Sequence, residues 1–217
     1  MSFLDEVKVK IKRISAYHMT HIDNLPKIFS EDALISKAEI LKRKFQFNDI
    51  SCAEVQGRRE SKIVNNLGLH EYVPLYFGPK TPMVAANNFQ QEKIIFLLFD
   101  LTILQTPGCV ISDGNAASDR TKFKVFSQLS DLDILNINAI ATSKYGQYTP
   151  ENEQRRKKQA EVLIPNKLPL KQMLRILVFS SEAAGIVLAQ AKKIGKRNPQ
   201  VSESKGWYFL QKNEGNK

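Results

Sequence analysis

The stretch KIIFLLFDLTIL, residues 93–104, decides the fold. It is the most apolar run in the chain, and its length predicts a central strand that is buried on both faces. Other short strand-like runs are EYVPLYFGPKTPM at 71–83, GCVIS at 108–112, AEVLI at 160–164, LRILVFS at 174–180 and GWYFL at 206–210. Because these runs are separated by helical patterns, we expect an α+β fold in which the strands carry the core.

Four stretches have the pattern of helices. A strand ending near Tyr17 and His18 leads into a helix with Pro26 in its first turn, a position that proline favours. The remaining three are a cation-rich stretch at 36–62, helical segments at 117–140, and a helix at 181–194 that Ser180 or Ser181 caps. Residues 142–160 read as a polar stretch before the strand that starts at Glu161.

The chain is strongly basic, with a net charge of +10 over 217 residues. Clustered Lys and Arg gain affinity for polyanions by releasing phosphate counterions, so this charge indicates a nucleic-acid partner. The clusters are ILKRK at 40–44, QGRRESK at 56–62, QRRKK at 154–158 and QAKKIGKRN at 190–198. The sequence is compatible with one groove lined by these clusters and also with four unrelated solvated faces.

The two cysteines, Cys52 and Cys109, have no spacing typical of a disulfide framework or a zinc site. We therefore expect a reducing, cytoplasmic environment and no metal. No apolar run approaches the roughly 20 residues needed to cross a bilayer, so we expect no membrane association. The length is that of a single domain, over residues 1–217.

Glu161 is the only acid of the segment KKQAEVLI, residues 157–164, and it stands between a cationic loop and an apolar strand. At a boundary between solvent and core, an enzyme can tune a carboxylate as an acid or a base. On the pattern alone, a structural carboxylate paired with a lysine is the commoner alternative. In the same way, His18 has a structural alternative, and the pair Arg58 and Arg59 is usually a solvated helix face.

Five motifs in chain order, however, closely resemble the DarT toxins, a family of NAD-dependent ADP-ribosyltransferases that act on bases of single-stranded DNA. The motifs are YHMTHIDNL at 17–25, the arginine pair at 58–59, YVPLYFGPKTPM at 72–83, SDGNA at 112–116 and KKQAEVLI at 157–164. The closing GWYF at 206–209 is also similar to the family's C-terminus. The resemblance implies an ADP-ribosyltransferase-like (PARP-like) fold, with a central split β-sheet and flanking helices.

The resemblance also implies the roles of individual residues. The second arginine of the pair is the essential one, and together with the acid of QAE it forms the catalytic set, Arg59 and Glu161. A histidine and a threonine hold the nicotinamide end of NAD, and an aromatic residue stacks on it. The residues that the resemblance assigns to NAD binding are His18, Thr20, Asn24, Arg59 and Tyr76.

A substrate-recognition loop is implied for residues of about 142–160. Tyr145 and Tyr148 stand there at positions where related chains often have tryptophan, and Lys80 replaces the usual arginine of the aromatic segment. Aromatic rings stack on exposed bases, while cations follow the phosphate backbone. The residues that we expect to contact DNA are Lys80, Met83, Tyr145, Tyr148, Arg155, Arg156, Lys157 and Lys158.

From the resemblance we expect the toxin of a toxin–antitoxin system. It would consume NAD, transfer ADP-ribose to thymine or guanine in single-stranded DNA, release nicotinamide and block replication. Its partners would be single-stranded DNA and an antitoxin of the ADP-ribosylglycohydrolase type, macrodomain or similar, with the toxin itself a monomer. Two alternatives stay open: transfer to RNA or protein, and a basic nucleic-acid-binding module that keeps the scaffold without catalysis.

Overall fold

The computed structural model of the chain describes residues 5–6, 16–147, 149, 151–195 and 199–209. Within them the strands are β1 Ala16–His21, β2 Ala33–Ile35, β3 Ile63–Val64, β4 Leu67–Gly68, β5 Tyr72–Tyr76, β6 Ile94–Phe99, β7 Val110–Ser112, β8 Phe123–Val125, β9 Glu161–Pro165, β10 Lys167–Pro169, β11 Met173–Val178 and β12 Val201–Glu203. The mixture of these strands with helices confirms the α+β class that the sequence predicts.

The α-helices are short, except for the last. They are α1 Leu25–Glu31, α2 Lys37–Lys42, α3 Ala53–Glu60, α4 Pro82–Ala86, α5 Ile137–Ala141, α6 Glu153–Lys157 and α7 Ser181–Lys193. Single 3₁₀ turns or short 3₁₀ helices connect them at Ile22–Asn24, Leu69–Glu71, Asn88–Lys93, Leu101–Gln105, Leu129–Ile134, Leu170–Gln172 and Lys205–Trp207.

Eight of the described strands form one sheet in the order β12-β11-β6-β1-β5-β9-β7-β8. As the sequence predicts, β6 is central, and all six of its residues are buried. Its side chains alternate between two apolar clusters, with Ile95, Leu97 and Phe99 in one and Ile94, Phe96 and Leu98 in the other. Because successive side chains of a strand point to opposite faces, β6 supports a separate core on each side of the sheet.

The sheet is weakly joined at its middle. Strand β1 pairs with β6 over six residues but with β5 only at one register position, Tyr17 opposite Tyr76. On the other side, β5 pairs with β9 over five positions. The sheet therefore opens between β1 and β5, which is the split that the sequence resemblance predicts, and the opening exposes the edge where the candidate site lies.

Several local predictions are wrong. Residues 43–52 form an irregular segment between α2 and α3 rather than a continuous helix, and Phe123–Val125 is an edge strand within a stretch expected to be helical. Helix α4 begins at Pro82, because proline is tolerated in a first helical turn. The expected last strand at 206–210 falls on a 3₁₀ turn, Lys205–Trp207, and its final residue lies outside the described residues.

Candidate active site

Glu161 and Arg59 form a buried ion pair next to the split in the sheet. Glu161 begins β9 opposite Tyr76 of β5, and Arg59 lies in the last turn of α3. Arg59 Nη1 donates to both carboxylate oxygens, at 3.0 Å to Oε2 and 3.3 Å to Oε1. The Ala116 N–H donates to Oε1 at 2.8 Å, and Glu161 is only 2% exposed. These three hydrogen bonds fix the orientation of the carboxylate.

The SDGNA motif explains how the chain brings a backbone donor to Glu161. The Glu161 N–H donates to Ser112 Oγ at 3.0 Å, and Ser112 Oγ donates to the Gly114 carbonyl at 2.7 Å. A side chain at Gly114 would place its Cβ 2.5 Å from Arg156 Nη1 and 2.9 Å from the Arg156 carbonyl oxygen. The glycine therefore allows the close approach of backbone segments that delivers the Ala116 N–H to Glu161.

The structure separates the two arginines of the pair clearly. Arg58 is exposed and lies 3.7 Å from Glu54 on the helix surface, whereas Arg59 is buried against Glu161. Arg59 Nη2 is buried and has no hydrogen-bond partner among the residues that the structure describes. Since a buried guanidinium donor is unfavourable without an acceptor, Nη2 is suited to bind an anionic or carbonyl group of a ligand.

A cavity adjoins the ion pair, and Arg59 and Glu161 line it. His18 lies on β1 and lines the same cavity. Its Nδ1 is 2.9 Å from the Pro74 carbonyl, which accepts, so Nδ1 carries the proton and Nε2 remains an acceptor. Burial lowers the pKa of His18, against the opposing effect of the Pro74 hydrogen bond. The imidazole is therefore neutral near pH 7, and it can accept a hydrogen bond from a ligand amide.

Thr20 and Asn24 act together. The Asn24 side-chain amide donates to Thr20 Oγ1 at 3.0 Å and to the Asn48 carbonyl at 3.0 Å, and it accepts from the Asn48 N–H at 2.8 Å. Both residues line the cavity. Asn24 thus ties the irregular segment that follows α2 to the end of β1, in addition to the ligand contact that the sequence predicts for it.

Tyr76 also lines the cavity, at the split between the two halves of the sheet. Its hydroxyl donates to Met83 Sδ at 3.3 Å. Burial, followed by the negative charge of Glu161, raises the pKa of Tyr76 above its ordinary value. The phenol therefore remains protonated, and Met83 is placed beside the ring that the sequence resemblance assigns to nicotinamide stacking.

The cavity that these residues share has a volume of about 350 Å³. Residues 45–50, with the sequence FQFNDI, also line this cavity, and they were not among the predicted site residues. We call them the covering segment. Neighbouring elements hold it through side chains: Lys37 Nζ lies 2.8 Å from Asp49 Oδ2, and Asn87 Nδ2 donates to the Ile50 carbonyl at 3.0 Å. The alternation of phenylalanine with polar residues was the available signal in the sequence.

The predicted DNA contacts fall into two groups, and the first lies around the cavity. Met83 and Arg155 line it, and Lys157 is half-buried beside Glu153.

Lys80 precedes α4 with its Nζ 5.8 Å from the Phe209 ring centre. Tyr145 is buried, with 8% exposed, and packs edge-on against Phe209. The prediction for Tyr148 falls outside the described residues.

Arg156 and Lys158 form the second group, and the structure places both side chains in the core. Arg156 is buried and donates to both oxygens of Asp113, at 2.6 and 3.0 Å. Lys158 is 1% exposed, and its Nζ donates to the Ile140 carbonyl. Burial, followed by the charge of Lys80, lowers the pKa of Lys158 to about 8. Both side chains hold the loop to the core through these contacts.

Two further features of the described residues bear on the class of protein. No cluster of His, Cys, Asp and Glu among them is arranged to hold a metal ion. The helices described are all too short or too polar to cross a membrane.

A carboxylate fixed by an arginine, beside a neutral histidine and a tyrosine in a deep cavity, can stabilise a cationic sugar while holding an anionic dinucleotide. Set at the split of an α+β sheet, this site places the chain among ADP-ribosyltransferases.

The comparisons with known proteins define the family. Residues 17–209 match the family model described as "ssDNA thymidine ADP-ribosyltransferase, DarT". The chain belongs to the DarT family.

Two relatives are similar over nearly the whole chain. The DNA ADP-ribosyl transferase of Thermus sp. 2.9 is 32% identical over 206 residues, which are 89% of this chain and 95% of the relative. A DNA ADP-ribosyl transferase–DNA ADP-ribosyl glycohydrolase fusion protein of Thermosipho africanus is 29% identical over 202 residues, which are 91% of this chain. This chain spans half the length of that fusion protein.

Solved structures of the Thermus sp. 2.9 DarT share the fold. The complex with ADP-ribosylated ssDNA superposes with a TM-score of 0.80 and 30% identity, over 90% of this chain and 96% of the other. The complex with NAD⁺ gives a TM-score of 0.76 and 29% identity, over 91% of this chain and 98% of the other. The predicted ADP-ribosyltransferase-like fold and the predicted family are thereby confirmed.

Proposed function

We propose that this protein transfers ADP-ribose from NAD to a thymine base in single-stranded DNA. The observation that carries the proposal is the buried pair of Arg59 and Glu161 in the wall of a cavity that His18, Thr20 and Tyr76 also line. The family description names thymidine, which favours thymine over guanine as the acceptor. The Thermus relative has been solved with NAD⁺ and with ADP-ribosylated ssDNA, and these are the substrate and the product class of the proposed reaction.

The chemistry follows from the charges in the site. The bond between the nicotinamide nitrogen and ribose C1′ breaks, both electrons go to the nicotinamide ring, and C1′ acquires oxocarbenium character. The Glu161 carboxylate stabilises this cation. A base nitrogen then forms a bond to C1′, and the proton that this nitrogen loses passes to Glu161. Each turnover thus yields one ADP-ribosylated base, one nicotinamide and one proton.

The other residues position the substrates. Arg59 holds a phosphate or carbonyl oxygen through its unpartnered Nη2 while Nη1 orients Glu161. His18 and Thr20 bind the nicotinamide amide, and the Tyr76 ring packs against the nicotinamide. A single-stranded acceptor suits this site because its base is exposed without the free-energy cost of leaving a duplex.

We also propose a biological role for the protein, as the toxin of a toxin–antitoxin system. A protein that modifies template bases blocks replication and requires an antitoxin that reverses the modification. The fusion of a DNA ADP-ribosyl transferase to a DNA ADP-ribosyl glycohydrolase in Thermosipho supports an antitoxin of the glycohydrolase type. We further propose that residues 1–217 form one domain, and that the protein is a cytoplasmic monomer.

The test is direct incubation of the purified protein with NAD and single-stranded oligonucleotides that contain either thymine or guanine as the only possible acceptor base. Mass spectrometry should show one added ADP-ribose on the thymine oligonucleotide, and fragmentation should locate it on the base. Intact NAD and unmodified DNA in all reactions would refute the proposal. An adduct on the guanine oligonucleotide alone would refute the assignment of thymine.

The same experiment addresses the alternative acceptors. RNA of matching sequence and a mixture of unrelated proteins serve as competing substrates, and nuclease treatment of the labelled product separates nucleic acid from protein. A basic binding module without catalysis would bind the oligonucleotides but leave NAD intact. The Arg59–Glu161 geometry favours catalysis over this alternative, since binding of nucleic acid does not by itself require a buried carboxylate beside a cavity.

A further inference from the structure

Four side chains form a continuous row beside the cavity, in the order cation, aromatic ring, aromatic ring, cation. Lys80 Nζ lies 5.8 Å from the ring centre of Phe209. Phe209 and Tyr145 pack edge to face, with ring centres 6.2 Å apart and planes at 90°. Arg155 Cζ lies 5.1 Å from the ring centre of Tyr145. We call these four residues the cation–aromatic row.

Both ends of the row adjoin the cavity. Lys80 directly precedes the Thr81–Pro82–Met83 turn, of which Pro82 and Met83 line the cavity, and Arg155 lines it from the recognition loop. The row therefore bridges the loop that follows β5 and the recognition loop that precedes β9. Phe209, from the C-terminal segment, fills the middle of this bridge.

The burial of the two rings assigns them different tasks. Tyr145 is buried, whereas Phe209 is half-buried. Tyr145 therefore backs the Phe209 ring rather than offering a free face of its own. Lys80 is half-buried and adopts a left-handed backbone conformation, with a φ of 55°, which is uncommon for residues other than glycine. Strain of this kind clusters at ligand contacts.

We infer that the cation–aromatic row binds the single strand next to the modified base, with a flanking nucleotide stacked on Phe209 and its phosphates contacting Lys80 and Arg155. A half-buried ring with a cation at each end of the row suits a single strand, in which phosphates flank each base. The inference rests on the proposed function and adds Phe209, which none of the sequence motifs assigns to the DNA. It also gives the C-terminal segment a role in substrate binding.

The test measures DNA binding without NAD, so that it does not depend on catalysis. Two labelled ligands are titrated by fluorescence anisotropy: a long single-stranded oligonucleotide of about 16 nucleotides with a central thymine, and a short one reduced to the thymine nucleotide alone. Phe209→Leu removes the π face and should weaken binding of the long oligonucleotide about 5- to 10-fold. The short ligand has no flanking base to stack on Phe209, so its affinity should change less than about twofold by the same reasoning.

Two further variants keep the test independent of folding effects. Phe123→Leu removes a ring that is likewise half-buried, but on the distant edge strand β8, and should bind both ligands as the wild type does. Lys80→Gln changes a half-buried side chain outside the ion pairs described for the site, and should reduce the slope of log K against log salt by about 0.7. Melting temperatures of all variants confirm that they are folded.

The outcomes separate the inference from the proposed function. Wild-type affinity and salt slope in both Phe209→Leu and Lys80→Gln would overturn the inference, as would an equal loss for the long and short ligands. If Phe209→Leu does not fold, the salt slope of Lys80→Gln decides. Failure of the wild type to modify any oligonucleotide would sink the proposed function, whatever the binding data show.

Discussion

The guanidinium of Arg59 and the carboxylate of Glu161 meet in the cavity wall, with Nη1 3.0 Å from Oε2 and 3.3 Å from Oε1. The two residues come from different elements, α3 and the start of β9. Each satisfies the other in a place from which water is largely excluded. The pair is therefore both a structural contact and the chemical centre of the site, and a useful variant has to separate these two properties.

Glu161→Gln makes that separation. Glutamine keeps the volume and one acceptor oxygen but removes the negative charge that stabilises the ribose cation and accepts the base proton. We expect turnover to fall about 10²- to 10⁴-fold with little change in NAD affinity. Glu161→Ala is the weaker test, because breaking a buried ion pair costs about 3–5 kcal/mol of stability.

The measurement for Glu161→Gln is single-turnover product formation by mass spectrometry, with NAD affinity from calorimetry. Glu54→Gln provides the control, since Glu54 is exposed and lies 3.7 Å from the exposed Arg58. The control should retain wild-type turnover. Turnover within a few-fold of the wild type in Glu161→Gln would contradict the role of the carboxylate.

The two neighbouring arginines provide a second matched pair. Arg59→Lys retains a positive charge but not the fork that donates from Nη1 to Glu161 while offering Nη2 to a ligand. We expect a loss of turnover of at least about 10-fold together with weaker NAD binding, because one hydrogen bond to a charged group contributes about 1.5–3 kcal/mol. Arg58→Lys, one residue earlier and exposed, should leave both quantities unchanged. Equal effects of the two substitutions on turnover and NAD binding would contradict a role for Arg59 that the exposed Arg58 does not share.

The pH dependence of folding tests the state of His18. Burial lowers its pKa in the folded protein, so the unfolded chain binds more protons below its ordinary value of about 6.5. The free energy of unfolding therefore falls as the pH drops through that value. His18→Asn, which keeps a donor for the Pro74 carbonyl but cannot titrate, should lose less stability between neutral and mildly acidic pH. Parallel denaturation curves for the two proteins over this range would contradict a buried neutral imidazole.

The sequence predicted the central strand and the strand that begins at Glu161 for a clear physical reason, whereas the choice of Arg59 over Arg58 came from the family resemblance. A continuous apolar run leaves few alternatives to a buried strand, and the motif order fixed which polar residues converge. The prediction from the sequence failed for residues 43–52, because their helix-like composition carries no information about the side chains that hold them. Asn24 and Lys37 bind that segment from positions 24 and 12 residues before the residues that they contact. Only the tertiary structure shows these contacts.

The cationic loop shows a different limit. Arg155, Arg156, Lys157 and Lys158 are equivalent in sequence, and all four were expected along the DNA. In the structure, Arg156 and Lys158 point into the core, where Asp113 and the Ile140 carbonyl accept their hydrogen bonds. Charge patterning cannot identify which cations of a run have buried acceptors, because those acceptors come from other segments.

The covering segment leads to a prediction about substrate binding. Lys37 Nζ holds Asp49 at 2.8 Å and also donates to Gln56 Oε1 at 2.8 Å, which ties the segment to α2 and α3. Asp49→Asn weakens this link without changing the catalytic pair. We expect KM for NAD to rise about 3- to 10-fold, since one partly buried ion pair contributes about 1 kcal/mol, with kcat changed less. Glu39→Gln, on the outer surface of α2, is the control for steady-state kinetics. An unchanged KM in Asp49→Asn would exclude a role for this link in NAD binding.

Gly78 gives the sharpest prediction on stability. A Cβ at this position would lie 2.5 Å from the Ile140 carbonyl oxygen and 2.7 Å from its Cγ2. The same carbonyl accepts the hydrogen bond of buried Lys158, and the Gly78 carbonyl accepts one from the Tyr17 hydroxyl. Gly78→Ala therefore forces apart two segments beside the site and should lower the free energy of unfolding by about 1–3 kcal/mol.

The control for Gly78→Ala lies in α7, where an added Cβ at Gly185 meets nothing within 4 Å. Because glycine in a helix interior is less favourable than alanine, Gly185→Ala should raise the free energy of unfolding by about 0.5–1 kcal/mol. Chemical denaturation of the three proteins measures both changes under one set of conditions. Opposite signs are the expected result. A stabilised or unchanged Gly78→Ala variant would show that the loops at Gly78 and Ile140 can move apart freely, and that their close approach is not needed to hold Lys158 in the core.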